Sequence, residues 1–221
     1  RVEEPVETRD HGEQALTAFG AELTREGRSV SIRGGQRLHA IEAAVPGDIS
    51  SAAFFMCAAA LFPGSRVTFP GILLNPTRAR LLDMLTLLGA RISIQHVEEQ
   101  HGEMVGTVQV EGNQLRGLVI AGADTAALID ELPVLAAIAP HMRDGLEVRD
   151  AGELRVKESD RIAVVAENLR AMGAAVEERE DGLRVPGGQQ LRGAQIQPYG
   201  DHRVAMAFAV SALRAQGESV I

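Results

Sequence analysis

The chain closes three helices in the same way, and that repetition limits its fold more than any other feature. Ala15-Leu16-Thr17-Ala18-Phe19-Gly20-Ala21, Met84-Leu85-Thr86-Leu87-Leu88-Gly89-Ala90 and Asn168-Leu169-Arg170-Ala171-Met172-Gly173-Ala174 each run an apolar helical segment into a glycine. Glycine fits there because the residue after a helix commonly adopts left-handed geometry. The glycines lie 69 residues apart (20 to 89) and then 84 apart (89 to 173). A strand-like segment follows each one: Glu22–Thr24, Arg91–Ile94 and Ala175–Glu178. A turn and a second alternating strand come next, at Ser29–Arg33, Gly106–Glu111 and Gly182–Pro186.

Further along each copy an aspartate precedes a helix of small residues. Asp48 leads Ile49–Leu61, Asp130 leads Glu131–Ala139 and Asp201 leads His202–Leu213. Additional strands are expected at Ser65–Pro70 and Gly145–Arg149, with second helices opening near Pro76-Thr77 and Ser159-Asp160. The unit therefore reads strand, helix, strand, helix, strand, strand. At roughly 70 to 85 residues it is too long for a solenoid repeat and suits a small module used several times. The fold class expected is α+β (mixed α/β), built of repeated βαβαββ units.

Glu153-Leu154-Arg155-Val156-Lys157-Glu158-Ser159-Asp160-Arg161 carries the strongest chemical signal, with six charged residues of nine. Ile162, Val165, Ala166 and Leu169 follow at helical spacing, and Ser159 or Asp160 is placed to cap. Such a run is ordinarily a solvated cap. Yet a helix entrance offers unpaired N–H groups and a positive dipole end. Lys157 and Arg161 there make a seat for phosphate or carboxylate, and Glu158 beside them is placed to move a proton. Asp201-His202-Arg203 and Asp130-Glu131 stand at two other helix entrances, where several such ends could converge. For Asp48 a capping role suffices.

Composition narrows the partners. The net charge of −8, pI of about 5.3 and 3% aromatic content argue against nucleic acid. No run of about 18 apolar residues is present, so no membrane span is expected; Ala52 to Phe62 reads as a buried helix. The single cysteine, Cys57, lies in that run, excludes an internal disulfide and suits a reducing compartment. The chain starts Arg1-Val2-Glu3, shows no signal peptide and stops at Ser219-Val220-Ile221 within a strand-like segment, so a fragment of a longer protein is expected.

Lys157-Glu158-Ser159-Asp160-Arg161, Asp201-His202-Arg203, Ile129-Asp130-Glu131-Leu132-Pro133, Val45-Pro46-Gly47-Asp48-Ile49-Ser50-Ser51-Ala52 and Thr8-Arg9-Asp10-His11 together resemble the 5-enolpyruvylshikimate-3-phosphate synthase family. The resemblance runs in order over nearly the whole chain. It implies transfer of the enolpyruvyl group from phosphoenolpyruvate to the 5-hydroxyl of shikimate 3-phosphate, in the route to aromatic amino acids. It also implies a cytoplasmic enzyme with no metal and no organic cofactor. The family fold has two globular halves, with sheets packed around helices, and binds its substrates and glyphosate in the cleft between them. Residues 1–43 would be the end of one half and 44–221 most of the other.

By the same resemblance, Asp130 corresponds to the residue that holds the shikimate hydroxyls and accepts a proton, and Lys157 and Arg9 contact shikimate 3-phosphate. Glu158 protonates and deprotonates the methylene carbon. Arg161 and Arg203 grip phosphoenolpyruvate, with His202 in support. The family's N-terminal Lys-Ser segment and nearby Arg, its Ser-Ser/Ala-Gln phosphate seat and its late Lys have no counterpart here, so the partner expected is the missing N-terminal half, and the fragment alone is expected to be inactive. Two other readings stay open: a UDP-N-acetylglucosamine enolpyruvyl transferase, and a non-catalytic domain that binds a phosphorylated metabolite.

Overall fold

The computed structural model describes residues 1–5 and 8–221. The first stretch forms β1 (Val2–Glu3), α1 (His11–Ala18), β2 (Leu23–Glu26) and β3 (Ser29–Ile32). The sheet order is β1-β3-β2, antiparallel throughout. Residues 33–46 contain no helix or strand and lead into the next unit.

That unit comprises α2 (Ile49–Leu61), β4 (Arg66–Leu73), α3 (Arg80–Leu88), β5 (Arg91–Gln100) and β6 (Glu103–Glu111). Its sheet order is β4-β6-β5, and Gly47 makes a parallel bridge to Ile72 of β4. The next contains β7 (Leu118–Ile120), α4 (Ala123–Ala127), α5 (Leu132–Ile138), β8 (Leu146–Val148), α6 (Arg161–Ala171), β9 (Glu177–Arg179) and β10 (Gly182–Val185). Here the order is β7-β8-β10-β9, with β7 parallel to β8. Parallel bridges Arg192–Gln216 and Gln195–Val220 then flank α7 (His202–Ala212), opening the same pattern again. In unit numbering the strands lie 1-2-4-3, with a helical crossover between the parallel pair. The first stretch supplies 2-4-3, which is the last part of such a unit.

The three helix-ending glycines have φ of 90° (Gly20), 110° (Gly89) and 85° (Gly173). A side chain would be strained at each, so the repeated Gly has a direct conformational cause.

Several boundaries shift by a few residues from the sequence expectation, and two of the differences have a local cause. The helix foreseen near Pro76-Thr77 starts at Arg80, because Asn75 first holds a turn through its side chain to Thr77 N (2.8 Å) and its carbonyl to Arg78 N and Ala79 N. Strand β5 runs on to Gln100 rather than ending at Ile94. Its register with β6 shifts between Gln95 and Glu98, where His96 has φ 51°. This irregularity breaks the two-residue alternation by which strands are recognised.

The core lies where α2, α5 and α7 touch one another, with α3 and α6 packed alongside. All seven residues of α5 are buried. Since α2, α5 and α7 begin one or two residues after Asp48, Asp130 and Asp201, these three helix starts meet at one place, bridged by Arg78 and Arg161.

Candidate active site

Two of the three aspartates behave as caps. Asp48 accepts from Ser50 N (3.2 Å) and Ser51 N (2.9 Å), and Asp201 accepts from Arg203 N (2.9 Å) and Val204 N (3.3 Å). Asp130 does not cap. The short α4 precedes it, Glu131 takes the N-cap position of α5, and Pro133 occupies the first turn, where no N–H is needed. The Asp130 carboxylate is left to face the cleft.

Four guanidinium groups surround it. Arg9 Nη2 donates to Oδ2 at 2.5 Å, Arg203 Nη2 lies 3.6 Å and Arg78 Nη1 3.7 Å from the same oxygen, and Arg161 Nη1 lies 3.7 Å from Oδ1. Arg203 Nη1 also donates to the Asp130 carbonyl (3.3 Å). Burial pushes the Asp130 pKa upward, but the Arg9 hydrogen bond and the charges of Arg203, Arg9 and Arg78 prevail and hold it below the usual carboxylate range.

Arg161 is the most unusual member, because its side chain is 1% exposed. Nε donates to Asp201 Oδ2 (2.8 Å), itself fully buried and bonded to Ser159 Oγ (3.0 Å). Nη2 pairs with Glu158, whose side chain is half exposed in the cleft. Among the described residues, Nη1 of Arg161 is buried without a hydrogen-bond partner. An orphaned charged donor of this kind is costly unless an acceptor arrives. Asp160 caps α6 through Ala163 N (3.0 Å), which releases Ser159 for Asp201.

Below Asp130 lies a second layer. Arg78 Nη2 donates to Asp48 Oδ1 and to Ser50 Oγ, both at 2.8 Å, and Ser50 donates to Glu131. Burial raises the Glu131 pKa, aided by the charge of neighbouring Asp130 and opposed by Ser50 and Arg78. At the side, Asn75 Nδ2 bonds Asp10 Oδ1 (2.7 Å) and Glu103 Oε2 (2.8 Å), and His11 meets Glu103 at 2.6 Å. This clasp ties the residue next to Arg9 to the turn that carries Arg78.

The resulting cleft has a volume of about 690 Å3 and is lined by Arg9, Asp130, Lys157, Glu158, Arg161 and Arg203, together with Thr8, Thr77, Asp124 and Glu153. Six residues singled out from the sequence thus share one cavity. Lys157 is turned toward Glu153, with which it pairs. His202 is exposed and is not part of the lining. Cys57 is buried in α2, where burial pushes its thiol up and leaves it inert.

Sequence reasoning missed Arg78, and it had a signal available. Arg9 and Arg78 each stand 11 residues before their helix-ending glycine (9 to 20, 78 to 89), and Arg161 stands 12 before its own (161 to 173). All three enter the second helix of a unit, and all three reach Asp130.

Among the described residues no group of three or more His, Cys, Asp and Glu side chains is arranged to hold a metal ion, and no helix is long and apolar enough to cross a membrane. The fold and cleft define a mixed α/β repeat protein with an arginine-walled cleft at converging helix entrances. A model of the EPSP synthase family (3-phosphoshikimate 1-carboxyvinyltransferase) matches residues 2–221, and the chain belongs to that family. The 3-phosphoshikimate 1-carboxyvinyltransferase of Koribacter versatilis (strain Ellin345) is 64% identical over 220 residues, covering 100% of this chain and 52% of the relative. That of Solibacter usitatus (strain Ellin6076) is 54% identical with the same coverage. The solved EPSP synthase of Acinetobacter baumannii superposes with a TM-score of 0.91 at 37% identity, over 98% of this chain and 50% of that one. The chain spans about half the length of the curated relatives it matches.

Proposed function

We propose that the cleft is one wall of an enolpyruvyl transferase active site, completed by the half of the family fold that this chain does not span. The reaction is transfer of the enolpyruvyl group from phosphoenolpyruvate to the 5-hydroxyl of shikimate 3-phosphate, with release of phosphate. Residues 1–43 would close one globular half and 44–221 form most of the other; the irregular stretch 33–46 between units supports a division there. A cytoplasmic setting goes with the free, buried Cys57.

The observation that carries this reading is Asp130, free of any capping role among four guanidiniums, beside a buried Arg161 Nη1 that has no hydrogen-bond partner among the described residues. Both reactants are anionic. Phosphoenolpyruvate carries a carboxylate and a phosphate, which suit the planar forks of Arg161 and Arg203. Lys157 and Arg9 are placed for the phosphate of shikimate 3-phosphate. As these anions engage the arginines, Asp130 loses compensating charge and becomes a stronger base, able to take the 5-hydroxyl proton. The hydroxyl oxygen bonds to C2 of phosphoenolpyruvate while Glu158 delivers a proton to the methylene carbon. Return of that proton to Glu158 accompanies departure of phosphate, which takes the hydroxyl proton from Asp130 as the C–O bond breaks and so restores both carboxyls. The two carboxyls divide the work because their surroundings differ: Asp130 is walled by cations, Glu158 half open to water. His202, exposed beside Arg203, would have the supporting role that the family resemblance gives it.

Isothermal titration with shikimate 3-phosphate tests this reading. The chain alone is expected to bind weakly without turnover, and binding should strengthen when the complementary half of the Koribacter relative is added. Identical heats with and without that half, or with Asp130→Ala, would remove the assignment.

A further inference from the structure

Arg78 differs from the other three arginines around Asp130 in where it stands. Arg9, Arg161 and Arg203 line the cleft, whereas Arg78 does not, although the adjacent Thr77 does. Its side chain is only 11% exposed, and Nη2 is fixed by Asp48 Oδ1 and Ser50 Oγ at 2.8 Å each. Ser50 is fixed in turn by its bond to Glu131. Thus Arg78 approaches Asp130 Oδ2 from behind (3.7 Å), anchored in the N-terminal turn of α2, the first helix of its own unit.

We propose that Arg78 is a positioning residue: it holds the Asp130 carboxylate in place and compensates its charge from the protein side while the cleft-lining arginines are occupied by substrate. This rests on the reading of Asp130 as the group that accepts the hydroxyl proton. A guanidinium that does not line the cleft contributes less to ground-state binding than the arginines that touch the ligand. By orienting a group that acts in the transition state, it contributes to turnover. The Asp48–Arg78–Ser50–Glu131 chain stiffens the support, because Asp48, Arg78 and Ser50 are each held by at least two hydrogen bonds and Glu131 closes the chain through Ser50. The equivalent arginines, Arg9 and Arg161, have moved to the cleft face, so one repeat position serves binding twice and support once.

Two measurements test this separately. In the first, this chain is titrated by carbon NMR at the Asp130 carboxyl, whose facing charges are Arg9, Arg78, Arg161, Arg203 and the adjacent Glu131. Arg78→Met should move the Asp130 midpoint upward, while exposed Arg184→Gln on β10 leaves it in place. In the second, the chain is joined to the remaining half of the Koribacter relative and assayed with phosphoenolpyruvate and shikimate 3-phosphate. Arg78→Met should lower kcat at least tenfold and change either KM less than threefold. Should Arg78→Met fail to fold, Arg78→Lys keeps the charge but spans only one side of the bridge, and should lower kcat at least threefold. A wild-type kcat in the folded variants, a tenfold rise in KM at unchanged kcat, or an unmoved Asp130 midpoint each overturns the inference. If the unsubstituted joined protein is silent, the enzymatic reading falls, and the NMR titration still decides the role of Arg78.

Discussion

Replacing Asp201 by alanine should destabilise the chain far more than its place at a helix entrance suggests. Its carboxylate is fully buried and holds a guanidinium that is 1% exposed, at 2.8 Å. Removing one partner of a buried ion pair costs about 3–5 kcal/mol, and losing an N-cap about 1 kcal/mol. Arg161 keeps Glu158 and sits 3.7 Å from Asp130, so part of the loss is recovered. A net loss of about 4 kcal/mol is expected, which at a slope of about 2.5 kcal/mol/M lowers the urea midpoint by roughly 1.6 M. Asp201→Asn retains an acceptor for the cap and should lose about half as much. Burial pushes the Asp201 pKa upward, but Arg161 and Ser159 outweigh it and the native value is lowered. The contribution is therefore present above about pH 4, the ordinary range of an unfolded aspartate, and fades as pH falls through the lower native value. Circular dichroism during urea titration at pH 7 and pH 3 measures both effects. A midpoint within 0.3 M of wild type at pH 7, or a gap that widens in acid, would refute the reasoning.

Other substitutions separate stability from turnover. Glu131→Gln should gain stability relative to wild type as pH rises from 4 to 7, because burial raises the native Glu131 pKa and ionisation opposes folding there; urea midpoints across that range measure it. Leu85→Ala in α3, where Leu85 is 0% exposed, should cost about 2–5 kcal/mol by leaving a cavity, read as a lower unfolding midpoint. Glu158→Gln removes a half-exposed ion pair, so its stability should change by less than about 1 kcal/mol. In the completed enzyme the same change should abolish most phosphate release with little effect on either KM.

Much of this architecture is legible in the sequence because local chemistry writes it there. The helix-ending glycines, the Asp48 and Asp201 caps and the alternation of Ser29–Ile32 each follow from a few adjacent residues. The second half of β5 was not legible, since its polar run is held by the ladder with β6 and not by burying alternate side chains. Asp130 looks like its two capping counterparts; only the extra turn of α4 before it frees its carboxylate. Only Glu158, three residues earlier, is a local partner of Arg161; its complete burial depends on Asp201 and Asp130 arriving from two other segments. The charged nonapeptide lines the cleft that also holds Asp130, whereas Arg78 stands in an otherwise uncharged turn and is marked only by its spacing to Gly89.

If this cleft is one wall of an enolpyruvyl transferase site, the chain joined to the remaining half of the Koribacter relative should release phosphate. That release should require both phosphoenolpyruvate and shikimate 3-phosphate and be lost in Asp130→Asn. A folded joined protein that releases no phosphate, or one in which Asp130→Asn works at the wild-type rate, would contradict that reading.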